Sequence, residues 1–78
     1  MIRVSVVLYS ILREKLPPEA RGRATLELPV GSRVADLFRH LDLPETSPWA
    51  LNGALERDKE RVLQDGDQFQ AFRQGAGG

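Results

Sequence analysis

The chain has 78 residues and no cysteine, and its eleven basic residues balance its eleven acidic ones. A chain of this length forms one small domain with a thin core, which no disulfide can reinforce. The lack of cysteine excludes a thiol nucleophile, a thiolate metal site and a persulfide-carrying side chain, and it fits a cytoplasmic protein. The balanced charge argues against a nucleic-acid partner, and no stretch is apolar for long enough to cross a membrane.

The first thirty residues predict two strands joined by a long loop. Residues 2–9 alternate between apolar and other side chains, which is the period of a half-buried strand. Arg3 and Ser5 interrupt the apolar run, and no small-residue cleavage site follows, so we expect a strand here and not a signal peptide. A polar turn at residues 21–23 precedes a second alternation over residues 24–30.

One amphipathic helix is predicted next. Its apolar stripe follows the i, i+3, i+4, i+7 spacing and consists of Val34, Leu37, Phe38 and Leu41. Ser32 is the expected N-cap, and the helix must end before Pro44. The only histidine, His40, has no companions spaced for catalysis or metal binding, so we expect a surface residue at the helix end and no bound metal or cofactor.

The following segment predicts a short hairpin and a charged connection. Asn52-Gly53 lies between short apolar runs, which is a strong hairpin signal, and Trp49 before it is expected to pack in the core or at its rim. The charged run 57–61 is expected to be solvated, with Val62 and Leu63 as apolar anchors behind it.

A last strand is predicted over residues 68–73, after a tight turn at Asp65-Gly66-Asp67. Alternation places Phe69 on one face and Phe72 on the other, away from the helix. Residues 74–78 carry no apolar side chain larger than Ala76 and are expected to form a flexible tail. We therefore expect a domain over residues 1–73 and a tail over residues 74–78.

The predicted elements define an α+β domain in which the apolar stripe of the helix packs across one face of a mixed sheet. If the last strand lies beside the first, this arrangement is the β-grasp, or ubiquitin-like, roll.

The whole chain resembles the MoaD/ThiS family of ubiquitin-like sulfur carriers. The resemblance rests on the helix entry at residues 30–37, the turns at residues 51–53 and 65–67, and the distance from the second turn to Gly77-Gly78. Tyr9 and the long first loop are most similar to the molybdopterin branch, the small subunit of molybdopterin synthase. Residues 73–76 lack the prolines that are frequent in that branch, so the thiamine-biosynthesis carriers stay an alternative.

The resemblance implies that the reactive group is the C-terminal carboxylate of Gly78, presented beside Gly77. An ATP-dependent, E1-like adenylating enzyme would activate it, and a persulfide-bearing protein would convert it to a thiocarboxylate. The large subunit of molybdopterin synthase would then receive the sulfur and carry catalysis, so the chain itself would be a co-substrate and not an enzyme.

The expected partner-binding residues lie at the end of the chain: Phe72, Arg73, Gln74, Gly75 and Ala76. Five residues from 74 to 78 extend at most about 17 Å, enough to reach a buried centre in a partner. The ordering of such a tail costs entropy, so the body must contribute compensating contact, and Phe72 is the expected anchor.

Two other functions stay open. A ubiquitin-like modifier would form isopeptide bonds to lysines through Gly78, and slower-migrating conjugates would reveal it. An interaction module with an idle tail would carry neither sulfur nor a conjugate.

Overall fold

The computed structural model describes residues 1–72, except for the side chains of Ser10 and Ile11. Arg73 and the predicted tail over residues 74–78 lie outside the described residues. The strands are β1 (Ile2–Leu8), β2 (Arg23–Leu28), β3 (Trp49–Leu51), β4 (Ala54–Glu56) and β5 (Gln68–Ala71), and the α-helix of this part of the chain is α1 (Val34–His40). Two 3₁₀ helices, Ser10–Lys15 and Pro18–Ala20, occupy the loop after β1.

The five strands form one mixed sheet in the order β2-β1-β5-β3-β4. β1 pairs antiparallel with β2 and parallel with β5, and β5 pairs antiparallel with β3. The predicted position of the last strand beside the first is therefore confirmed, and with it the β-grasp roll. β5 ends at Ala71, two residues earlier than predicted.

The core lies between the inner face of the sheet and α1. Phe69 of β5 is fully buried and contacts Phe38 of α1 edge to face, with 6.0 Å between the ring centroids. Trp49 is buried on the other side of Phe69 at a centroid distance of 5.9 Å. The predicted stripe of α1 is buried in full, and His40 is exposed at the end of the helix, as expected.

The start of α1 differs from the prediction, because the N-cap is Arg33 and not Ser32. The first free N–H groups of the helix donate to the backbone of a distant segment: Val34 to the Arg61 carbonyl at 3.1 Å and Ala35 to the Lys59 carbonyl at 2.9 Å. The Ser32 hydroxyl instead donates to the Pro29 carbonyl at 2.7 Å. A tertiary contact therefore satisfies the helix end that a side chain was expected to satisfy.

Asp36 completes this helix start. Its carboxylate accepts the Arg33 N–H at 2.8 Å and pairs with the guanidinium of Arg39. The hydrogen bond from the Arg33 backbone and, next, that from the Arg39 side chain hold the pKa of Asp36 below its ordinary value.

Three expectations about which side chains are buried or exposed need correction. Val62 is 48% exposed, and only its neighbour Leu63 anchors the segment in the core. Val30 is 79% exposed, because β2 ends at Leu28 and Val30 lies beyond the sheet. The run 57–61 is not wholly solvated: the Lys59 ammonium lies 4.1 Å from the centroid of the Phe38 ring.

Candidate functional site

The last described residues meet the end of β1 at the surface of the molecule. The rings of Tyr9 and Phe72 stack with a centroid distance of 5.1 Å and an interplanar angle of 5°. Tyr9 is 40% exposed and Phe72 is half-buried, so both rings present an edge or face to solvent. Gln70 adds a polar contact, since its Nε2 donates to the Tyr9 hydroxyl at 3.2 Å. We call Tyr9, Gln70 and Phe72 the tail-base cluster.

Backbone hydrogen bonds fix the tail-base cluster in place. The Tyr9 N–H donates to the Ala71 carbonyl at 3.1 Å, and the Phe72 N–H donates to the Pro48 carbonyl at 2.9 Å. The main chain is thus paired up to the final described residue, although regular β5 pairing ends at Ala71. A partner that binds the residues after Phe72 therefore binds next to a backbone that hydrogen bonds hold in place.

The cluster continues into an apolar row across the outer face of the sheet, the face opposite α1. The strand registers bring Val7 opposite Gln70, Gln70 opposite Ala50, and Ala50 opposite Leu55. Leu55 at the end of this row is 76% exposed, and Val7 is half-buried. We call Val7, Ala50 and Leu55 the outer-face row. Ala50, between Leu55 and Val7, is buried, so the apolar surface of the row comes from Leu55 and part of Val7. Exposed apolar side chains on the same face as stacked aromatic rings are suited to contact with another protein.

The sequence predicted part of this site. Phe69 lies on the inner face of the sheet against α1, and Phe72 lies on the outer face against Tyr9, as alternation indicated. The contribution of Tyr9 as a stacking partner was missed, because residues 9 and 72 are brought together only by the parallel pairing of β1 with β5. The other predicted site residues, from Arg73 to Gly78, lie outside the described residues.

A polar network holds the two turns that flank the start of β5. Asn52, in the left-handed conformation at φ 53°, donates from Nδ2 to Asp67 Oδ1 at 3.0 Å and accepts the Gln68 N–H at 2.9 Å. Asp67 also accepts the Gln64 N–H at 2.8 Å, and Asp65 accepts the Arg3 N–H at 2.8 Å. Both carboxylates of the Asp65-Gly66-Asp67 turn therefore have a structural role, which fits the plain turn expected from the sequence.

Within residues 1–72 no three histidine or acidic side chains lie close enough together to bind a metal ion. Over the same residues, no helix has the length and apolar character needed to span a membrane.

The fold places the chain among small proteins of the β-grasp class, and solved structures of that class superpose on it. No protein-family model matches the sequence, and no curated protein matches it. A putative molybdopterin converting factor subunit 1 from Pyrococcus furiosus aligns with a TM-score of 0.73 at 24% identity, over 92% of this chain and 97% of its own.

Two further structures are similar. The small archaeal modifier protein 1 of H. volcanii has a TM-score of 0.74 at 14% identity, over 92% of this chain and 97% of its own. The complex of subunits 1 and 2 of molybdopterin-converting factor from Helicobacter pylori matches with a TM-score of 0.68 at 19% identity, over 99% of this chain and 100% of the matched chain. At these identities the likeness is one of fold, and it agrees with the group to which the sequence resemblance points.

Proposed function

We propose that this chain is a sulfur carrier of molybdopterin biosynthesis, whose Gly78 carboxylate is adenylated and then converted to a thiocarboxylate. The observation that carries the proposal is the tail-base cluster: stacking and a backbone hydrogen bond fix Phe72 on the same face of the sheet as the partly exposed outer-face row. The six residues from Arg73 to Gly78 can extend about 20 Å from that point. The body can therefore dock through the outer face while the glycines enter a narrow channel.

The chemistry requires activation because a carboxylate is a poor electrophile. A carboxylate oxygen of Gly78 attacks the α-phosphorus of ATP, and pyrophosphate leaves. The terminal sulfur of a partner's persulfide then attacks the acyl carbon, and AMP leaves. A second thiol reduces the resulting acyl disulfide and releases the thiocarboxylate.

The proposed partners follow from these steps. An E1-like adenylating enzyme binds ATP, a persulfide protein supplies sulfur, and the large subunit of molybdopterin synthase accepts it. The fold likeness to a chain from a complex of subunits 1 and 2 of molybdopterin-converting factor supports the last of these. This chain is then a co-substrate that contributes its terminus, while its partners contribute the catalytic side chains. The thiamine-biosynthesis branch uses the same terminus and differs in which acceptor copurifies.

A second candidate function is protein modification, which the fold likeness to the H. volcanii modifier supports. The two lysines of the chain are both engaged: Lys15 lies 3.4 Å from the Asp42 carboxylate, and Lys59 donates to the Glu45 carbonyl. Both contacts lie at the surface and are weak, so conjugates would form on lysines of this chain or of other proteins. Their appearance as slower-migrating species in a cell extract would favour this function.

The proposal is tested by ATP–pyrophosphate exchange with the adenylating enzyme from the same cell. The full chain should support exchange, whereas a chain that lacks Gly78 should support none and unfold at the same temperature. A Val30→Ala variant, which keeps the whole C-terminus and changes an exposed side chain beyond the sheet, is the control and should retain exchange. Equal exchange with and without Gly78 would contradict the proposal.

A further inference from the structure

β2 forms one edge of the sheet and is the longer of the two edge strands. It pairs with β1 alone and runs for six residues, whereas β4 at the opposite edge has three. Edge strands present a row of unpaired N–H and C=O groups, and soluble proteins commonly protect them with charged side chains, lysine above all, with proline or with a bulge. The six residues of β2, Arg23–Leu28, contain neither lysine nor proline, and their two charged residues, Arg23 and Glu27, are of opposite sign.

The hydrogen bonds of β1 show which backbone groups of β2 face outward. On β1, the Leu8 N–H donates toward β2, to the Gly22 carbonyl at 2.7 Å, whereas the N–H groups of Ser5 and Tyr9 donate toward the other side of β1. Antiparallel bonding alternates, so the even-numbered residues of β2 bond to β1. The N–H and C=O groups of Arg23, Thr25 and Glu27 therefore point away from the sheet, and no backbone partner for them lies within residues 1–72.

The side chains at this edge are self-complementary about Thr25. In an antiparallel pair centred on Thr25, Arg23 of one copy lies opposite Glu27 of the other, and the same pair recurs on the other side of the two-fold axis. All three outward-bonding residues of each strand then exchange N–H···O bonds with the facing strand. Opposite charges directly across such a pair stabilise it, and like charges destabilise it.

We propose that two copies of this chain associate edge to edge through β2, with the two-fold axis at Thr25. Ala24 of one copy then lies opposite Leu26 of the other on the inner face, where Leu26 is only partly buried against the core. Arg23 has no ion pair among the described residues. Glu27 has one with Arg3 at 3.6 Å, in which both side chains are more than half exposed, so Glu27 can contact the facing arginine as well.

The association joins two five-stranded sheets into one of ten strands, with both outer faces on the same side. The two β5 strands are then five strand spacings apart, or about 24 Å. The tail-base cluster and the residues after it stay accessible in each copy, so this inference does not depend on the proposed function. The contact is small, and interfaces below about 1,200 Å² are weak and transient. We expect a reversible, concentration-dependent dimer.

Sedimentation velocity and NMR line widths on the full chain, from micromolar to millimolar concentration, test the proposal. The wild-type chain should dimerise, and Arg23→Glu or Glu27→Arg should each weaken self-association by about tenfold or more, since each places two like-charged pairs across the axis. An equimolar mixture of these two variants should form a heterodimer, because every facing pair is again of opposite charge. Thermal unfolding establishes that each variant is folded, and Arg57→Glu, with the same change of charge on an exposed residue beyond β4, should dimerise like the wild type.

Recovery of the dimer on mixing would support the two-fold pairing, because that pairing places residue 23 of one copy opposite residue 27 of the other. A wild-type chain that is monomeric at millimolar concentration would overturn the proposal and leave the edge to a strand of another protein. A dimer that neither charge reversal weakens, or that Arg57→Glu weakens equally, would also overturn it.

Discussion

Phe72 is held in place through its backbone and yet keeps part of its ring exposed. Its backbone is fixed to the Pro48 carbonyl, and its ring is stacked on Tyr9 but remains partly exposed. A buried aromatic residue would contribute only to the core, and a free one would lose entropy on binding. A pre-positioned aromatic ring loses little, which is why such residues dominate the energetics of interfaces.

The first prediction concerns this ring. Phe72→Ala should lower affinity for the adenylating enzyme by about tenfold or more, as truncation of a central aromatic anchor does. The free energy of unfolding should fall by about 2 kcal/mol, the contribution of one aromatic pair plus the partial burial of the ring. Calorimetric titration gives the affinity, and urea unfolding gives the stability.

The matched control for Phe72 is Val30→Ala, which removes an exposed apolar side chain outside the outer face. Its affinity for the enzyme should equal that of the wild type. Wild-type affinity and wild-type sulfur loading of Phe72→Ala would show that the ring has no role in docking.

Asp36 provides a second residue-scale prediction. Its folded-state pKa lies below the ordinary value of 3.8, because the carboxylate accepts the Arg33 N–H and pairs with Arg39. Its contribution to stability is therefore present above that ordinary value and is lost as the pH falls through the lower, folded-state pKa. Asp36→Asn should flatten the acid limb of the stability–pH curve, measured by thermal unfolding below about pH 4.

The control for Asp36 is Val30→Ala, which changes an exposed side chain that does not titrate. This variant should retain the wild-type slope in acid. An unchanged slope in Asp36→Asn would show that the carboxylate is not held by the helix start.

At the scale of elements, the loop between β1 and β2 depends on one glycine. Gly22 has φ 76°, and a Cβ atom there would lie 2.6 Å from the Leu8 carbonyl oxygen and 2.8 Å from Arg13 Cγ. The 3₁₀ helix of residues 10–15 thus packs directly on the backbone that enters β2, with Leu12 buried in the core.

Gly22→Ala should therefore cost about 3 kcal/mol, the sum of left-handed strain and overpacking. Gly31→Ala is the matched control, because Gly31 also has positive φ, at 92°, but an added Cβ meets nothing within 4 Å. It should cost about 1 kcal/mol. Equal destabilisation of the two variants in urea unfolding would contradict the close packing at Gly22.

The periodic elements could be predicted from the sequence, and the elements set by tertiary contact could not. The stripe of α1 and the alternation of β1 are local patterns, because burial on one face imposes a fixed period. The cap of α1 is not local: carbonyls of residues 59 and 61 serve it, so Ser32 was the wrong choice. Val62 and Leu63 are equally apolar, and only the tertiary path of the chain decides which one is buried.

The same distinction applies to the site. Phe72 was predicted from the parity of its position relative to Phe69, which is a local property of a strand. Tyr9 was not predicted as its partner, since their contact spans most of the chain and depends on the parallel pairing of β1 and β5. The outer-face row likewise exists only because four strands align in register across the sheet.

At the scale of the whole molecule, β5 is the central strand and also the one that leads to the tail. Pairing with both β1 and β3 fixes this strand on two sides, so a partner that binds the residues after Phe72 acts on an interior strand of the sheet. This arrangement supports the proposed carrier role, in which the body holds the last described residues in place while a partner binds those that follow.

Intact-mass measurement of the chain purified from its native cell tests this claim most directly. A sulfur carrier should show a fraction heavier by the difference between one sulfur and one oxygen atom, with fragmentation placing the change on Gly78. That fraction should disappear when the adenylating enzyme is deleted. A chain with only the unmodified mass, under conditions in which molybdopterin is being made, would contradict the account.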